Sequence, residues 1–407
     1  MTNPVYDIVV AGGGVGGACV ARNMATAGAR VVVVEQTTTF SDRIRGEAIV
    51  PWGVAEARKL GIMPVLKAVG AHDMRWFDEF AMQERIMRRD LPATNPTGEQ
   101  FVGVYHPVLQ QALLDSAAQA GAEIVRGIAV SSVTTGAQPQ VSLSDGRQLQ
   151  ARLAVLADGR SSRLRLQAGF KPQRDATAQL IAGVLFDNTG VAEDAAHLYY
   201  NFQTGESAVC FPQGNRRVRF YMVYWPESRR RLQGDSDVAR LIGDMKWTGQ
   251  FCESFRDARQ AGPLASFECA DTWADHPYHD GIALVGDTAA SSNPAFGQGL
   301  ALAFHDARSL CDALQANKDW DQAGRAYAAE HDRYYGIVHS ATRWFTALMH
   351  DVGPEADAKR ARVFAQFDRD PSSAPDQGIS GPDVPMSDAA ARLFQAEMPQ
   401  VRRAEAS

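Results

Sequence analysis

Three glycines spaced G-x-G-x-x-G constrain this chain more than any other feature. Gly12, Gly14 and Gly17 follow the apolar run Tyr6 to Ala11, where a buried parallel strand must turn sharply into a helix expected over about residues 15–27. Each has a steric reason. Gly12 permits the tight turn, Gly14 lets the backbone approach a pyrophosphate, and Gly17 lets helix and strand lie close together. The first helical turn then offers free N–H groups and partial positive charge. A second strand, Arg30 to Val34, delivers Glu35 twenty-three residues after Gly12, where a carboxylate can accept hydrogen bonds from ribose hydroxyls. Glycine-rich turns alone are common, but strand, helix, strand and acidic terminus together predict a dinucleotide site.

The chain has 407 residues, 45% of them hydrophobic and 22% charged, enough for one large core or two lobes. No apolar run reaches the roughly 20 residues that span a bilayer, and the first strand starts almost at Met1. Neither a membrane partner nor a signal peptide is therefore expected, and the expected location is cytoplasmic. The five cysteines (Cys19, Cys210, Cys252, Cys269, Cys311) are scattered without C-x-x-C spacing, which suits reduced and mostly buried thiols. Net charge is −6, and the one compact basic run, Arg229 to Arg231, reads as a solvated helix face, so no nucleic-acid partner is expected. No metal-ligand spacing stands out.

Past Glu35, Ser41 to Ile49 (SDRIRGEAI) carries Arg43 and Arg45, either pyrophosphate ligands or two surface arginines in a loop. An apolar-periodic helix is expected around 55–69 and another over 108–120, ended by Gly121. Strands follow at 122–126 and 129–133, then a hairpin, 141–143 with 149–155, about Ser144-Asp145-Gly146. Its second strand runs into Asp158-Gly159. Between 177 and 225 the pattern changes to aromatic and β-branched strands at 180–186, 197–202, 207–211 and 218–225, a mainly antiparallel sheet inserted between halves of the nucleotide domain. A helical segment is expected over 235–261, capped by Ser236 or Asp237, and a long amphipathic helix over 321–349. A loose Pro/Gly/Ser-rich wrap over 370–388 and a short last helix over 389–397 complete the reading.

The second strong signal is GIALVGDTAASSNPAFGQGLALAFHDARSL from Gly281 to Leu310. A buried strand ends in Gly286-Asp287, and a loop with Pro294, Gly297 and Gly299 opens a helix near Leu300. The competing reading is an ordinary crossover whose Asp caps a helix. A polyol-and-anion site so far from the first suits a cofactor too long for one βαβ unit, and FAD has that length. Its ADP half fits Gly12 to Glu35, its ribityl chain reaches Asp287, and its isoalloxazine rests near Pro294 to Gly299, with Leu300 a further cofactor contact.

Four segments, GGGVGG at 12–17, RIRGE at 43–47, DGRSSRLR at 158–165 and GDTAASSNPAFGQG at 286–299, resemble the class A flavoprotein monooxygenases, the para-hydroxybenzoate hydroxylase family, over about 310 residues. The resemblance implies an α/β fold with an α+β insert: a Rossmann-like FAD-binding domain (1–75, 100–172 and 270–320), an inserted mainly antiparallel substrate-binding domain (76–99 and 173–269) and a C-terminal helical region (321–407). It implies that Asp158, with Gly159, Ser162 and Arg165, serves FAD and NAD(P)H, that Asp287 holds the ribityl chain, and that Arg45 touches the flavin. The chain departs from the family pattern at Ala290, Ala301 and His106, where a histidine stands in place of a flavin-contacting arginine. That histidine, beside Pro107, is either a site residue or structural.

The implied chemistry is reduction of FAD by NADH or NADPH, addition of O2, and hydroxylation of a small aromatic or heteroaromatic substrate through a flavin C4a-hydroperoxide. The protein must position the ring, exclude water and tune charge. Pro294 and Gly297 are candidates to shape the oxygen pocket through main chain. Phe211, Tyr221, Met222 and Tyr224 are candidate pocket walls, although strand alternation forbids all four from sharing a face. Rival readings are a halogenase, which needs a W-x-W-x-I-P segment that these tryptophans never form, a reductase or dehydrogenase of the same superfamily, and a flavin-binding protein without turnover. Monomer and homodimer are both compatible with the sequence.

Overall fold

The computed structural model describes residues 5–44, 46–176, 179–228 and 230–397. Its first layer is a parallel sheet ordered Ile282–Leu284, Gln148–Leu156, Val5–Ala11, Val31–Glu35 and Glu123–Arg126, with the antiparallel strand Tyr278–His279 at one edge. Val10 sits between Val155 and Val33 in register. Both faces of the inner strands, Val31–Glu35 and Ile282–Leu284 among them, are buried, which is why they read as continuous apolar runs rather than alternating ones. Ile8, Val10, Val33 and Val155 face the helices Val15–Thr26, His106–Gln119 and Gly299–Ala316, while Val9, Ala11, Val32 and Val34 face a second cluster. The hairpin Gln140–Leu143 with Gln148–Leu156 turns at Gly146, whose φ of +90° favours glycine.

The second sheet is ordered Arg259–Gln260, Gln179–Asp187, Val218–Tyr224, Glu206–Pro212, Ala195–Asn201, Trp76–Ala81 and Glu84–Asp90, with Ala265–Cys269 also paired to Gln179–Asp187. It is antiparallel except where Ala195–Asn201 runs parallel to Trp76–Ala81, because the 76–90 hairpin arrives from an earlier part of the chain. Phe186, Phe220, Met222 and Tyr224 point from one face into a core closed by Leu241, Met245, Phe251 and Phe255. Ile181, Val209, Tyr221 and Val223 point from the other face toward Ile44 and Ala295.

Several expected boundaries move. The single helix over 55–69 is two, Pro51–Lys59 and Met63–Ala68, because Gly61 at φ +69° and Pro64 at the next helix start break it. The helical segment 235–261 is a chain of short turns ending at the strand Arg259–Gln260, interrupted at Gly249 with φ +63°. The border placed at 172/173 falls inside the strand Pro172–Arg174, which pairs with Thr272–Ala274 and through it with Ala290–Ser291. The long helix is Trp320–His350, N-capped by Asp319. A helix at Pro354–Arg369 was not anticipated. Most of its side chains stay in water, and its apolar side is limited to Val363, Phe364 and Phe367, which pack against Trp344 and Leu348.

Candidate active site

The candidate site begins with two helix N-termini. Helix 15–26 starts after Gly14 and helix 299–316 starts at Gly299, and neither has a side-chain cap, so their leading N–H groups are left for a ligand. A Cβ at Gly14 would meet nothing nearer than 3.8 Å, and one at Gly299 nothing within 4 Å. Gly12, at φ +107°, and Gly17 are glycines for the opposite reason. A side chain on Gly12 would strike the Ala157 carbonyl, and one on Gly17 the carbonyl of Gly12. Gly16 lies against Val285 and Gly286, so the two motif loops abut although 270 residues separate those positions in the chain. Open main chain at both ends of one groove fits a dinucleotide with a second, distant anchor.

Glu35 is buried and accepts hydrogen bonds from the Gly13 N–H (2.8 Å) and from the Thr37 N–H and hydroxyl (2.8 Å each). It thus shapes the glycine turn. Asp158 and Asp287 come together around Thr288. The Gly159 N–H donates to the Thr288 hydroxyl (2.8 Å), and Arg165 donates to the Thr288 carbonyl (3.1 Å) and lies in the field of both aspartates. Burial, opposed by Ser162, Thr288 and Arg165, raises the Asp158 carboxyl. Asp287 occupies the turn Gly286–Thr288, which is fixed from behind by Asp306: its carboxylate accepts the Gly286 N–H (2.7 Å) and the Tyr334 hydroxyl. Downstream, Pro294–Phe296 form a turn, Gly297 takes φ +66°, and Leu300 is buried in the helix that follows. Gln298 locks this turn, accepting from the Trp52 indole (2.9 Å) and donating to the carbonyls of Phe296 (2.7 Å) and Gly378 (3.0 Å).

Arg45 lies outside the described residues, and Arg43 is exposed. Two acids flanking them, not singled out from the sequence, anchor the loop. Arg219, fully buried, donates to Asp42 (2.7 Å) and stands 3.1 Å from Glu47, which also accepts the Tyr221 hydroxyl. Asp42 in turn accepts the Ile44 N–H (2.8 Å) and holds Ile44 at φ +57°, a conformation rare for a β-branched residue. Burial pushes the Glu47 carboxyl up against the pull of Arg219 and Tyr221. Burial alone would lower the Arg219 guanidinium, but Glu47 and Asp42 reverse the shift. Its Nε and one Nη find no partner among the described residues. The signal available in the sequence was the pair of acids, Asp42 and Glu47, in a segment delivered to a buried strand.

His106 begins its helix, and its Nδ1 contacts the Gly46 carbonyl (3.0 Å), which can only accept, so Nδ1 carries the hydrogen. It stands over the same loop. The four wall candidates separate by face. Tyr221 and Phe211 lie with Val209, Leu198 and Ala295 on the groove side. Met222 and Tyr224 do not: both point into the opposite core, and the Tyr224 hydroxyl is tied to Ser266 (2.9 Å) and the Leu232 N–H (3.0 Å). The alternation of side chains along Val218–Tyr224 requires this.

A family model described as an FAD binding domain matches residues 5–340. The putative 2-heptyl-3-hydroxy-4(1H)-quinolone synthase AqdB1 of Rhodococcus erythropolis is 28% identical over 88% of this chain and 91% of its own. The fold is similar to p-nitrophenol 4-monooxygenase PnpA of Pseudomonas putida DLL-E4 (TM-score 0.77, 20% identity, 99% of this chain and 100% of that one). It is also similar to Pseudomonas aeruginosa PqsL in complex with 2-aminobenzoylacetate (TM-score 0.74, 22% identity, 85% and 97%). Among the described residues, no helix is long and apolar enough to cross a membrane.

Proposed function

Because the chain belongs to the FAD binding domain family and is a class A FAD-dependent monooxygenase, we propose that it hydroxylates a small aromatic or heteroaromatic compound in the cytoplasm, with NADH or NADPH as reductant. The observation that carries this reading is the pair of uncapped, glycine-opened helix N-termini at 15 and 299, whose motif loops abut at Gly16 and Gly286, with the Pro294–Phe296 turn packed on the Tyr221 face of the second sheet. When bound, FAD supplies the transfer of two electrons from reductant to O2 and of one oxygen atom to the ring. The residues around it have simpler tasks. Gly14 and the first turn of helix 15–26 hold the pyrophosphate, Glu35 the adenosine ribose, and Asp287 the ribityl hydroxyls. The helix that starts at Gly299 would offer its positive end to negative charge on the bound cofactor, worth up to about 2 kcal/mol of stabilisation. Pro294 to Gly297 wall the ring with main chain. Tyr221, Phe211, Val209 and Leu198 form the apolar opposite wall and exclude water.

The named relatives support a ring bearing oxygen or nitrogen substituents. Suitable probes are 2-aminobenzoylacetate, p-nitrophenol and 2-heptyl-4(1H)-quinolone. The purified protein is expected to absorb near 450 nm (about where flavins absorb) and to release FAD on denaturation. At least one probe should then accelerate NADH or NADPH consumption, with a product heavier by one oxygen. Acceleration that persists without O2 and transfers electrons to an added acceptor would instead show a reductase.

A further inference from the structure

Turnover of the proposed kind, NAD(P)H + H⁺ + O2 + RH → NAD(P)⁺ + ROH + H2O, takes up one proton per cycle, and a groove that excludes water needs a route for it. We propose that Asp271, Tyr335, His339 and Asp175 form that route, a proton-transfer path from solvent to the turn that walls the reactive end of the cofactor. The inference rests on the monooxygenase reading given above.

The path starts at the turn. Asp271, 3% exposed, precedes Thr272, which pairs with Ser291, and so lies beside the start of the turn, where the Asn293 side chain accepts the N–H of Ala295 (3.0 Å). Asp271 also accepts the Tyr335 hydroxyl (3.4 Å). His339, one helical turn beyond Tyr335, stacks on its ring at 5.5 Å between centroids and places Nε2 2.7 Å from Asp175. One ligand-type atom from each of Asp175, Asp271 and His339 falls within 4.8 Å of the other two: His339 and Asp175 are in direct reach, and one water spans the remaining step to Asp271. Trp273 covers His339 at 4.6 Å, and a cavity of about 310 Å³, lined by Trp273, Tyr335 and His339, opens the outer end to solvent.

The neighbouring charges suit this role. His331 stacks on Tyr335 from the inner side (5.6 Å), Asp275 faces the Tyr335 hydroxyl's field, and His276 is paired with Asp332 at the cavity rim. Burial first, then Asp175, raises the Asp271 carboxyl to about 6, against His339, Asn293 and Tyr335. A carboxyl ionising in that range takes and gives a proton near neutrality. A buried carboxylate with a raised pKa weakens the fold at neutral pH, so packing gives no reason for it.

The test uses Asp271→Asn and His339→Gln. In the FAD-loaded enzyme, chemically reduced and mixed with O2, the return of 450 nm absorbance is followed from pH 5 to 9 in H2O and D2O. The wild type is expected to show an inflection near 6 and a solvent isotope effect. Asp271→Asn should lose both and slow by about tenfold or more, and His339→Gln should be partly restored by free imidazole. In the apoprotein, ring-proton NMR of His339 should report the Asp271 titration and lose that inflection in Asp271→Asn. This second readout decides the matter even in a protein that fails to hold FAD, an outcome that would defeat the function reading separately. Variants that bind FAD with rates, isotope effect and pH profile unchanged, or an apoprotein titration without coupling, would overturn the path. So would tight Zn²⁺ or Mn²⁺ binding that both variants abolish, which would make the cluster a metal site.

Discussion

The groove's two sides are built from different chemical groups. At the helix N-termini of 15–26 and 299–316 the lining is main chain, kept bare by Gly14 and Gly299 and packed tight by Gly12 and Gly17. On the facing sheet the lining is side chain: Tyr221 and Phe211 over an apolar floor, with Arg219 buried between Asp42 and Glu47. A main-chain site depends on the absence of side chains and on backbone position, whereas a side-chain site depends on which rotamer projects from which face. The first should fail by collision or loss of the cofactor. The second should fail by unpaired charge, in steps that depend on pH.

The largest effect is expected on the main-chain side. Gly17→Val drives a branched side chain into the Gly12 carbonyl and against Val10 and Ala157, with rigid strand behind each contact. Overpacking of this kind costs about 3 kcal/mol or more, and the variant should be recovered without flavin and with a sharply lowered Tm. A yellow, wild-type-like Gly17→Val would break the claim that helix and strand must touch there. On the side-chain side, Arg219→Met removes the only described partner that joins Asp42 to Glu47, at a cost of about 3–5 kcal/mol where buried charge is left uncompensated. Thermal melts should show that loss shrinking as pH falls and Glu47, whose carboxyl is raised by burial, takes up a proton.

This contrast also explains what could be read in advance. Gly12, Gly14, Gly17, Gly297 and Gly299 are legible because a bare or left-handed backbone position admits few other residues, so geometry imprints directly on sequence. The parallel strands are legible because both faces are buried, and the middle strands because they are aromatic and β-branched. Asp42 and Glu47 are legible only as two acids beside two arginines, and nothing in the sequence joins them to Arg219. A buried charge looks in sequence like any surface charge until its partners, here 177 and 172 residues away, are brought to it. The same ambiguity put Met222 and Tyr224 beside Tyr221 as wall candidates. Only the sheet's placement between two cores shows which alternate residues face the groove. The helix Pro354–Arg369 is hard to read in the sequence because its apolar side is short, confined to Val363, Phe364 and Phe367 among charged residues.

A middle-sized effect separates binding from folding. Asp287 lies half-buried at the turn that Asp306 fixes from behind, so Asp287→Ala leaves that support in place. FAD affinity is expected to fall about 10- to 100-fold, the weight of one or two hydrogen bonds to a charged acceptor, while the apoprotein Tm moves by less than about 1 kcal/mol equivalent. Equilibrium dialysis against FAD, paired with apoprotein melts, measures both. Equal losses in the two would mean that Asp287 belongs to the scaffold rather than to the cofactor.

The smallest effect is the most diagnostic of a side-chain site. Tyr221→Phe removes one hydroxyl, the donor to Glu47, and leaves the ring in the apolar wall. The folded pKa of Glu47 is raised, so the stability linked to its protonated form is fully present below the unfolded pKa, near 4.5, and declines as pH rises through the folded value. The Tyr221 hydroxyl limits that decline because it donates to the carboxylate, an interaction worth about 1.5–3 kcal/mol against about 1 kcal/mol for the neutral acid. Losing the hydroxyl should therefore cost about 1 kcal/mol while Glu47 is protonated and about 2 kcal/mol once it is ionised, with the increase lying above pH 4.5, the ordinary Glu value. Urea melts at several pH values would show it as a gap between wild type and variant that widens toward alkaline pH. A constant gap would place Tyr221 in the wall as packing alone, with Arg219 and Asp42 holding Glu47 without its help.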